Sequence, residues 1–421
     1  MKFFFPDSQD QVDPEFDFET EEHSEFRIRQ RDDRYAHEML ADVPFDGILV
    51  SKSIVDGNAG GGAGKYTGPQ RTRLYREGIR RFLRLDTVTD RHIETLGDCG
   101  AFAYVKEDEP PFTVDEVIDF YEEARFDLGI SVDHIILGFR SDERATLPGI
   151  DEAPVEWERR RQITLQYARD FLARHRARKC TFQPLGVAQG WNSSSYQDSV
   201  SQLQQMGYRR IALGGMVPLK THEILSALRA MHDVRSAGTE FHLLGVTRVD
   251  HMDVFAAHGV TSFDSTSPFR QAFKDDRNNY YLLDGALTAV RVPQVEGNPR
   301  LKARVQAGEV DQGLARKLEE RCLEALRDFD REATRLDDVV DALAEYEALW
   351  DGRNDRSSLY AETLGSRAWK DCPCGICGAC GVDVVLFRGS ERNKRRGFHN
   401  LYVFGERLHR ELTTELLTVT G

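Results

Sequence analysis

The feature that most constrains the fold is a regular alternation of short apolar runs with longer amphipathic stretches along the first two thirds of the chain. The apolar runs lie at residues 45–50, 94–97, 134–138, 182–187, 210–213, 241–246 and 261–263. The stretches between them, such as VDEVIDFYEEARFDLG at 114–129, carry apolar side chains at helical spacing. This alternation predicts an α/β fold of parallel strands joined by crossover helices. Seven or eight such units over about 250 residues favour a (β/α)8 TIM barrel over an open sheet.

The segments outside this alternation predict a division of the chain into four parts. Residues 1–40 are acidic and lack an apolar period, so we expect an N-terminal arm before a barrel domain at 41–300. Residues 301–370 have apolar side chains at three- and four-residue steps, which predicts a helical insertion. Residues 371–421 contain a cysteine cluster followed by a helical pattern, and we expect a metal-binding subdomain there.

Four of the seven cysteines, Cys372, Cys374, Cys377 and Cys380, lie within nine residues. Cysteines this close bridge poorly with one another, so a metal site in a reducing compartment explains them better than disulfides. The first three can converge on one tetrahedral zinc ion, with His399 from the following helix as fourth ligand. Cys380 is the alternative fourth ligand, and spacing alone favours it slightly. Four protein ligands leave no open position for water, so this zinc is expected to be structural.

Polar residues or glycines follow the ends of five predicted strands. They are Asp98, Asp133, Gln189, the pair Gly214-Gly215, and Asp264. The carboxyl ends of barrel strands open on one face, where barrel enzymes have their active sites. Any one of these residues could be an ordinary turn residue, but their recurrence at successive strand ends predicts a pocket.

The same residues belong to motifs that resemble, in their order, the tRNA-guanine transglycosylase superfamily. The motifs are Asp98-Cys-Gly-Ala-Phe102, Gly186-Val-Ala-Gln189-Gly190, Leu213-Gly214-Gly215-Met216, Leu244-Gly245-Val246, Phe263-Asp264-Ser265 and the cysteine cluster with His399-Asn400. They extend from about residue 90 to residue 400, and their joint order with the cysteine cluster is specific. The resemblance implies a (β/α)8 barrel with a zinc subdomain near its C-terminal end, and it favours His399 over Cys380 as ligand.

The resemblance also implies a chemistry and a role for each pocket residue. Replacing a base at C1′ with retained configuration calls for two displacements, with one carboxylate as nucleophile and another as acid and base. Asp264 matches the nucleophile of the family and Asp98 its acid/base residue. The residues expected to bind the purine are Asp133, Gln189, Gly214 and Gly215 at its polar edge, and Phe102 and Leu244 on its two faces.

Departures from the tRNA enzymes point to DNA as the substrate. The segment 265–274 lacks the arginine-rich, asparagine-containing loop that engages the anticodon loop in those enzymes, and residues 301–370 replace a short connection. The segment 46–52, followed by a glycine-rich loop, resembles the DpdA branch of DNA-guanine transglycosylases, which insert a 7-deazaguanine base such as preQ0 into DNA.

Two alternatives remain: a tRNA-guanine transglycosylase of the queuosine or archaeosine type, and a non-catalytic zinc-stapled nucleic-acid-binding subunit. The presence of both Asp98 and Asp264 argues against the second.

The charge distribution is compatible with a nucleic-acid partner although the net charge is −14. Basic residues are concentrated in two runs, and the placement of charge matters more than its sum. The residues expected to contact phosphates are Arg80, Arg81 and Arg84 in the first run and Arg392, Lys394, Arg395 and Arg396 in the second. Such contacts would make DNA affinity depend on salt.

The remaining expectations concern location and assembly. No apolar run approaches the roughly 18 residues of a membrane span, and the N-terminal segment lacks the pattern of a signal peptide. We therefore expect a cytoplasmic protein without a membrane partner. Helper proteins of a DNA-modification system and a second copy of the chain are further candidate partners.

Overall fold

The computed structural model describes residues 1–57, 64–88, 90–140, 155–274, 276–351 and 354–419. It divides into two compact units. The first comprises Met1–Gln9, Phe45–Thr266 and Leu408–Gly421, and the second Asp10–Pro44 and Ser267–Arg407. Most of the glycine-rich loop, residues 58–63, lies outside the described residues. Among the helices that are described, none combines the length and the apolar character needed to cross a membrane.

The first unit is built on a closed barrel of eight parallel strands, which confirms the predicted (β/α)8 fold. The strands are β1 (Lys2–Pro6), β2 (Gly47–Ser51), β3 (Glu94–Asp98), β4 (Leu128–Ile130), β5 (Gln183–Ala188), β6 (Arg210–Leu213), β7 (Glu240–Leu243) and β8 (Val260–Asp264). Each strand pairs with the next, and β1 pairs with β8 to close the barrel. All eight carboxyl ends therefore open on one face.

Helices alternate with these strands. The helices of the first unit are α2 (Lys52–Asp56), α3 (Gly68–Glu77), α4 (Ile79–Phe82), α5 (Val114–Ala124), α6 (Val155–Arg178), α7 (Ser193–Met206), α8 (Thr221–Val234) and α9 (Met252–Ala257). Several of these helices have an N-cap side chain: Thr67 caps α3, Thr113 caps α5 and Asn192 caps α7. Each cap satisfies a backbone N–H of the first turn, which stabilises a helix by about 1 kcal/mol.

The barrel interior is apolar through most of its depth. Alternate residues of six strands point inward and form one buried cluster, made up of Phe4, Leu49, Leu96, Leu128, Ile130, Leu185, Val187 and Ala212. This is the packed core expected of a TIM barrel, whose inner side chains fill the interior in layers. The core fixes the strand ends, and with them the side chains at the barrel mouth.

One strand assignment from the sequence is corrected by the structure. The run 134–138 is not a strand; β4 is the earlier and shorter Leu128–Ile130. Ile135 and Ile136 are buried without pairing in the sheet, so burial alone explains their apolar character. The signal of β4 is weak because Gly129 interrupts it, and this glycine lets the Tyr121 ring pack against the backbone.

The predicted N-terminal arm, residues 1–40, is not a separate segment in the structure but is divided between the two units. Phe3, Phe4 and Phe5 are buried in β1, so the barrel begins at residue 2 and not at 41. β1 pairs with β2, the next strand, and with β8 at the far end of the barrel sequence, and local patterning does not reveal this closing pair. Residues 10–44 belong to the second unit.

The second unit is mainly helical. Its helices are α1 (Ala36–Met39), α10 (Ser267–Lys274), α11 (Pro299–Gln306), α12 (Gln312–Asp330), α13 (Leu336–Trp350), α14 (Ser357–Ser366), α15 (Ala368–Asp371), α16 (Ile376–Cys380) and α17 (Gly389–Val419), the last of which continues into the first unit. Its strands are the antiparallel pair β9 (Tyr280–Leu282) and β10 (Gly285–Leu287), and the parallel pair β11 (Val290–Arg291) and β12 (Leu386–Phe387). Helices α11 to α14 lie in the stretch that the sequence predicts to be helical.

Candidate active site and metal centre

Asp264 is the last residue of β8, and its side chain is buried at the barrel mouth. One carboxylate oxygen, Oδ1, accepts a hydrogen bond from the Gly245 backbone N–H at 3.0 Å and lies 3.3 Å from Nε2 of His242. Within the described part of the chain, the other oxygen, Oδ2, has no hydrogen-bonding partner. One oxygen is thus held and the other is available to react.

Asp98 ends β3 and accepts a hydrogen bond from the Ser51 hydroxyl at 2.9 Å, on the neighbouring strand β2. Burial raises the pKa of Asp98 to about 7, and the nearby charges of Asp133 and Asp264 add to this shift. Asp98 and Asp264 both lie at the carboxyl ends of barrel strands, so the two carboxyl groups share one barrel mouth. A carboxyl group that titrates near neutrality suits both proton donation and proton acceptance.

Asp133 and Gln189 form a buried polar pair beside Asp98. Gln189 donates from Nε2 to Oδ2 of Asp133 at 2.7 Å, and the Cys99 thiol donates to Oδ1 at 3.3 Å. The Ile136 backbone N–H donates to Oε1 of Gln189 at 3.2 Å. Burial raises the pKa of Asp133 to about 6. These contacts hold both side chains in fixed orientations before any ligand binds.

Gly214 and Gly215 follow β6, and each is a glycine for a steric reason. A Cβ on Gly214 would lie 2.2 Å from Nε2 of Gln189, and Gly215 has a φ of +72°, which favours glycine. The Gly214 N–H already donates to the Ala188 carbonyl at 3.0 Å. The Gly215 N–H has no acceptor among the described residues. Of the two backbone donors expected from the sequence, only that of Gly215 is available to a ligand.

Phe102 and Leu244 lie just beyond the ends of β3 and β7. Phe102 belongs to the 3-10 turn Ala101–Tyr104, and its ring is 54% exposed, unlike most aromatic rings of this unit. Leu244 is half-buried against the barrel core. An exposed ring and a half-buried aliphatic side chain at the mouth are suited to contact a planar base.

The structure adds four side chains to the site that the sequence did not identify. Ser51 and His242 are polar residues at the end of, or inside, apolar strands, and that interruption is a signal the sequence does carry. Cys99 and Tyr104 come together only in the fold: the Tyr104 hydroxyl lies 2.9 Å from the Cys99 sulfur and donates to the Asp133 carbonyl at 3.1 Å. No local pattern predicts that pair.

The second unit contains a cluster of four potential metal ligands, Cys372, Cys374, Cys377 and His399, whose ligand atoms all lie within 4.8 Å of one another. Nδ1 of His399 is 3.4, 3.7 and 3.2 Å from the sulfur atoms of the three cysteines in that order. Its Nε2 donates to the Tyr281 carbonyl at 2.8 Å, which leaves the Nδ1 lone pair directed at the sulfurs. Three thiolates and one imidazole nitrogen match the donor set of a tetrahedral zinc site.

Two neighbours of this cluster bear on the choice of fourth ligand. The Tyr280 ring stacks on the His399 imidazole at 4.2 Å with an interplanar angle of 6° and fixes its orientation. Cys380 ends α16, and its sulfur is not part of the group of ligand atoms found among the described residues. The geometry therefore favours His399 over Cys380.

The first basic run lies on α3, α4 and the turn after them. Arg80 donates to the Ile93 carbonyl at 2.6 Å, and Arg84 is half-buried. Arg81 is exposed, as is Arg76 on α3. Of the three residues predicted to contact DNA here, Arg81 is the most accessible.

The second basic run requires a correction. Arg392, Arg395 and Arg396 are 2%, 2% and 0% exposed, and their guanidinium groups bond within the second unit. Arg392 pairs with Asp383 and Glu21, Arg395 pairs with Glu391, and Arg396 donates to backbone carbonyls. Lys394 is half-buried and donates to the Gln11 carbonyl at 2.9 Å.

Arg392 and Arg395 therefore neutralise acidic groups of the second unit, one of which, Glu21, lies in the N-terminal segment 10–44. Glu21 shows the effect: burial alone would raise its pKa, but hydrogen bonds from Arg388 and Gln294 and the charges of Arg388 and Arg392 together lower it to about 2. Removing either partner would leave a buried charge without compensation. These side chains are not available to a phosphate backbone, so none of the four residues belongs to a DNA interface.

Comparison with known proteins gives one extensive similarity. The chain is 47% identical over 417 residues to a curated protein named DNA-guanine transglycosylase from Salmonella montevideo, and the match covers 98% of both chains. No protein-family model matches the chain.

Proposed function

Because this chain belongs to the DNA-guanine transglycosylase family, within the tRNA-guanine transglycosylase superfamily, we propose that it replaces guanine in DNA with a 7-deazaguanine base such as preQ0. The chain is an enzyme, a pentosyltransferase. The observation that carries the proposal is the pair of carboxyl groups at one barrel mouth, with Asp264 held by one oxygen and Asp98 titrating near neutrality. Similarity across almost the whole chain supports DNA as the polymer.

The proposed reaction has two displacements. In the first, Oδ2 of Asp264 forms a bond to C1′ while the bond from C1′ to N9 of guanine breaks, and protonated Asp98 gives its proton to the leaving base. In the second, N9 of the incoming base attacks C1′, its proton passes to Asp98, and Asp264 leaves as a carboxylate. Two inversions retain the configuration at C1′.

Base recognition is assigned to the groups beside this pair. We propose that Asp133 accepts hydrogen bonds from the N–H groups of the guanine edge, while Gln189 and the Gly215 N–H donate to its carbonyl oxygen. Phe102 and Leu244 contact the two faces of the ring, and Gly214 leaves space for Gln189. A guanine inside a duplex cannot reach such a pocket, so the base must be extruded or single-stranded.

The metal cluster is assigned a structural role. We propose that Cys372, Cys374, Cys377 and His399 hold one zinc ion that ties the α16 region to α17, and that no step of the reaction involves it. A zinc ion with four protein ligands has no open position for substrate or water.

The function is tested by incubating the protein with labelled preQ0 and, in parallel, with duplex DNA or tRNA. Incorporation into DNA with release of guanine is the expected result. Incorporation into tRNA alone would establish the queuosine or archaeosine type of activity instead. An absence of exchange in both, with DNA binding retained, would indicate the non-catalytic binding subunit. A further incubation uses labelled guanine in place of preQ0. Incorporation of guanine without incorporation of preQ0 would show that the enzyme is active but that the incoming base is a different one.

The pH dependence of the first displacement tests the role of Asp98. We expect the rate of covalent adduct formation to fall about tenfold per pH unit above pH 7, because the leaving base needs the proton that Asp98 loses there. Asp133 titrates close by, so the profile reports the pair of groups and not Asp98 alone. Single-turnover rates from pH 5.5 to 9, a range of about two units on either side of neutrality, measure the effect. An identical descending limb in the Asp98→Asn variant would assign the proton to another group.

The remaining basic run provides a test of DNA contact. We propose Arg81, with Arg80 and Arg84 beside it, as a contact to the phosphate backbone. The Arg81→Ala variant should bind DNA more weakly irrespective of sequence, and the slope of log affinity against log salt should fall by about 1. Arg335→Ala is the control, because Arg335 is also exposed but lies outside both basic runs. Equal salt slopes in the two variants would show that Arg81 is an ordinary surface residue.

A further inference from the structure

A histidine interrupts the apolar interior of the barrel directly beneath the proposed nucleophile. His242 lies in β7 and is 2% exposed. Its Nδ1 is 2.9 Å from the Ser262 hydroxyl, its Nε2 is 3.3 Å from Oδ1 of Asp264, and Phe4 meets its ring edge-on at 5.6 Å. Both ring nitrogens therefore have a polar neighbour on β8.

The pairing of β7 with β8 is irregular at this residue. Phe241 pairs with Val260, but His242 pairs with Ser262, so Thr261 is left over as an extra residue in β8. A bulge of this kind re-aims the side chains that follow it and is frequent beside active sites. Here the bulge places Ser262 opposite His242 in the pairing of β7 with β8. Asp264 follows two residues later on the same side of β8.

The positions of the protons follow from the partners. An ionised carboxylate only accepts hydrogen bonds, so Nε2 of His242 must carry a proton to bond Oδ1 of Asp264. In the neutral ring Nδ1 is then an acceptor, and the Ser262 hydroxyl donates to it. The Gly245 N–H and His242 together supply two donors to the same oxygen, Oδ1.

The charged residues that line a cavity beside the His242 ring are paired with one another. His242 borders a cavity of about 150 Å³ that is also lined by Lys2, Glu94, Arg210 and Glu240. These four residues form two ion pairs, Lys2 with Glu94 at 2.7 Å and Arg210 with Glu240 at 3.0 Å. Their charges compensate one another, and Asp264 is the carboxylate that the imidazole contacts.

We propose that His242, oriented by Ser262, is a positioning residue for the nucleophile: it holds Oδ1 of Asp264 so that Oδ2 is directed at C1′. This inference rests on the proposed function, because it assumes that Asp264 attacks the sugar. Rotation of the carboxylate would otherwise exchange the two oxygens and lose the attack geometry, and small misplacements of reacting atoms cost up to about 100-fold in rate. A histidine kept only for packing would have no such effect.

Two replacements of His242 separate positioning from packing. His242→Gln keeps an amide N–H donor at about the reach of Nε2, whereas His242→Leu fills a similar volume without a donor. We expect single-turnover adduct formation to fall about 10- to 100-fold in His242→Leu and to recover to within a few-fold of wild type in His242→Gln. The KM for DNA and DNA affinity should change little in either variant. Ser262→Ala, which removes the group that orients the ring, should show a smaller loss in the same step.

The outcomes distinguish this inference from the function on which it rests. Absence of adduct and exchange in the wild-type protein would overturn both. With an active wild type, equal losses in His242→Leu and His242→Gln, or a loss confined to KM, would overturn the positioning role alone. If His242→Leu does not fold, the Ser262→Ala variant is the test. An unchanged rate of adduct formation in Ser262→Ala would then overturn the positioning role.

Discussion

The Asp264→Asn variant is expected to bind DNA normally, to form no covalent adduct, and to lose exchange activity by a factor on the order of 10⁴ or more. A neutral amide is a poor nucleophile, so the first displacement fails. The change should not disturb the fold, because an asparagine Oδ1 can still accept the hydrogen bond from the Gly245 N–H. Release of labelled guanine and trapping of the adduct on a denaturing gel measure the two effects.

Asp98→Asn is the matched comparison, since it changes the other carboxylate of the same pocket. It should also be slow, but for a different reason: the leaving guanine receives no proton, while the nucleophile remains intact. The roles would be reversed if a trapped adduct persisted in Asp264→Asn and disappeared in Asp98→Asn. Full exchange activity in both variants would rule out the double-displacement mechanism for this pocket.

The sequence predicted the barrel because its strands and helices are local and strongly patterned. Six of the seven apolar runs correspond to β2, β3 and β5 to β8, and their capped helices follow at the expected spacing. The seventh run, 134–138, failed because burial in an unpaired segment produces the same apolar signature as a strand. The sequence does not predict β1, because its apolar run Phe3–Phe5 is short and is followed by acidic residues, and its closing partner β8 is remote in sequence.

The sequence predicts which site residues follow the ends of strands, but it does not predict the hydrogen bonds between them. Asp98 and Asp264 end strands, and the barrel rule alone brings them to one face. Asp133 was placed at the same face although the strand assigned beside it was wrong, since it follows β4 by three residues. The engaged Gly214 N–H, the contacts of Asp133 with Cys99 and Gln189, and the support of Asp264 by His242 depend on distances that no sequence pattern gives.

The second basic run shows why charge patterning misleads within folded units. Four basic residues close together predict an exposed surface, yet Arg392, Arg395 and Arg396 are buried. Their acidic partners include Glu21, more than 360 residues earlier in the chain. An acidic segment and a basic segment at opposite ends of the sequence are each unremarkable alone, and only the fold shows that they compensate one another.

The second large effect is expected at the metal cluster, in the Cys374→Ser variant. We expect the wild-type protein to contain one zinc ion per chain and this variant to contain none. Binding of a structural zinc contributes directly to the free energy of folding, on the order of 10 kcal/mol in isolated zinc modules. Its loss should lower the midpoint of thermal unfolding strongly, and a chelator should do the same to the wild-type protein. Metal analysis and calorimetry measure the two results.

Cys322→Ser is the control for the loss of a buried thiol, because Cys322 is as buried as Cys374 but lies in α12 away from the cluster. It should keep its zinc and lose only the roughly 1–3 kcal/mol typical of a disturbed core position. His399→Ala and Cys380→Ser then identify the fourth ligand. Nδ1 of His399 lies within 3.7 Å of all three sulfur atoms, so His399→Ala should lose zinc and Cys380→Ser should retain it. The reverse result would assign a four-cysteine site, with His399 as a packing residue under Tyr280.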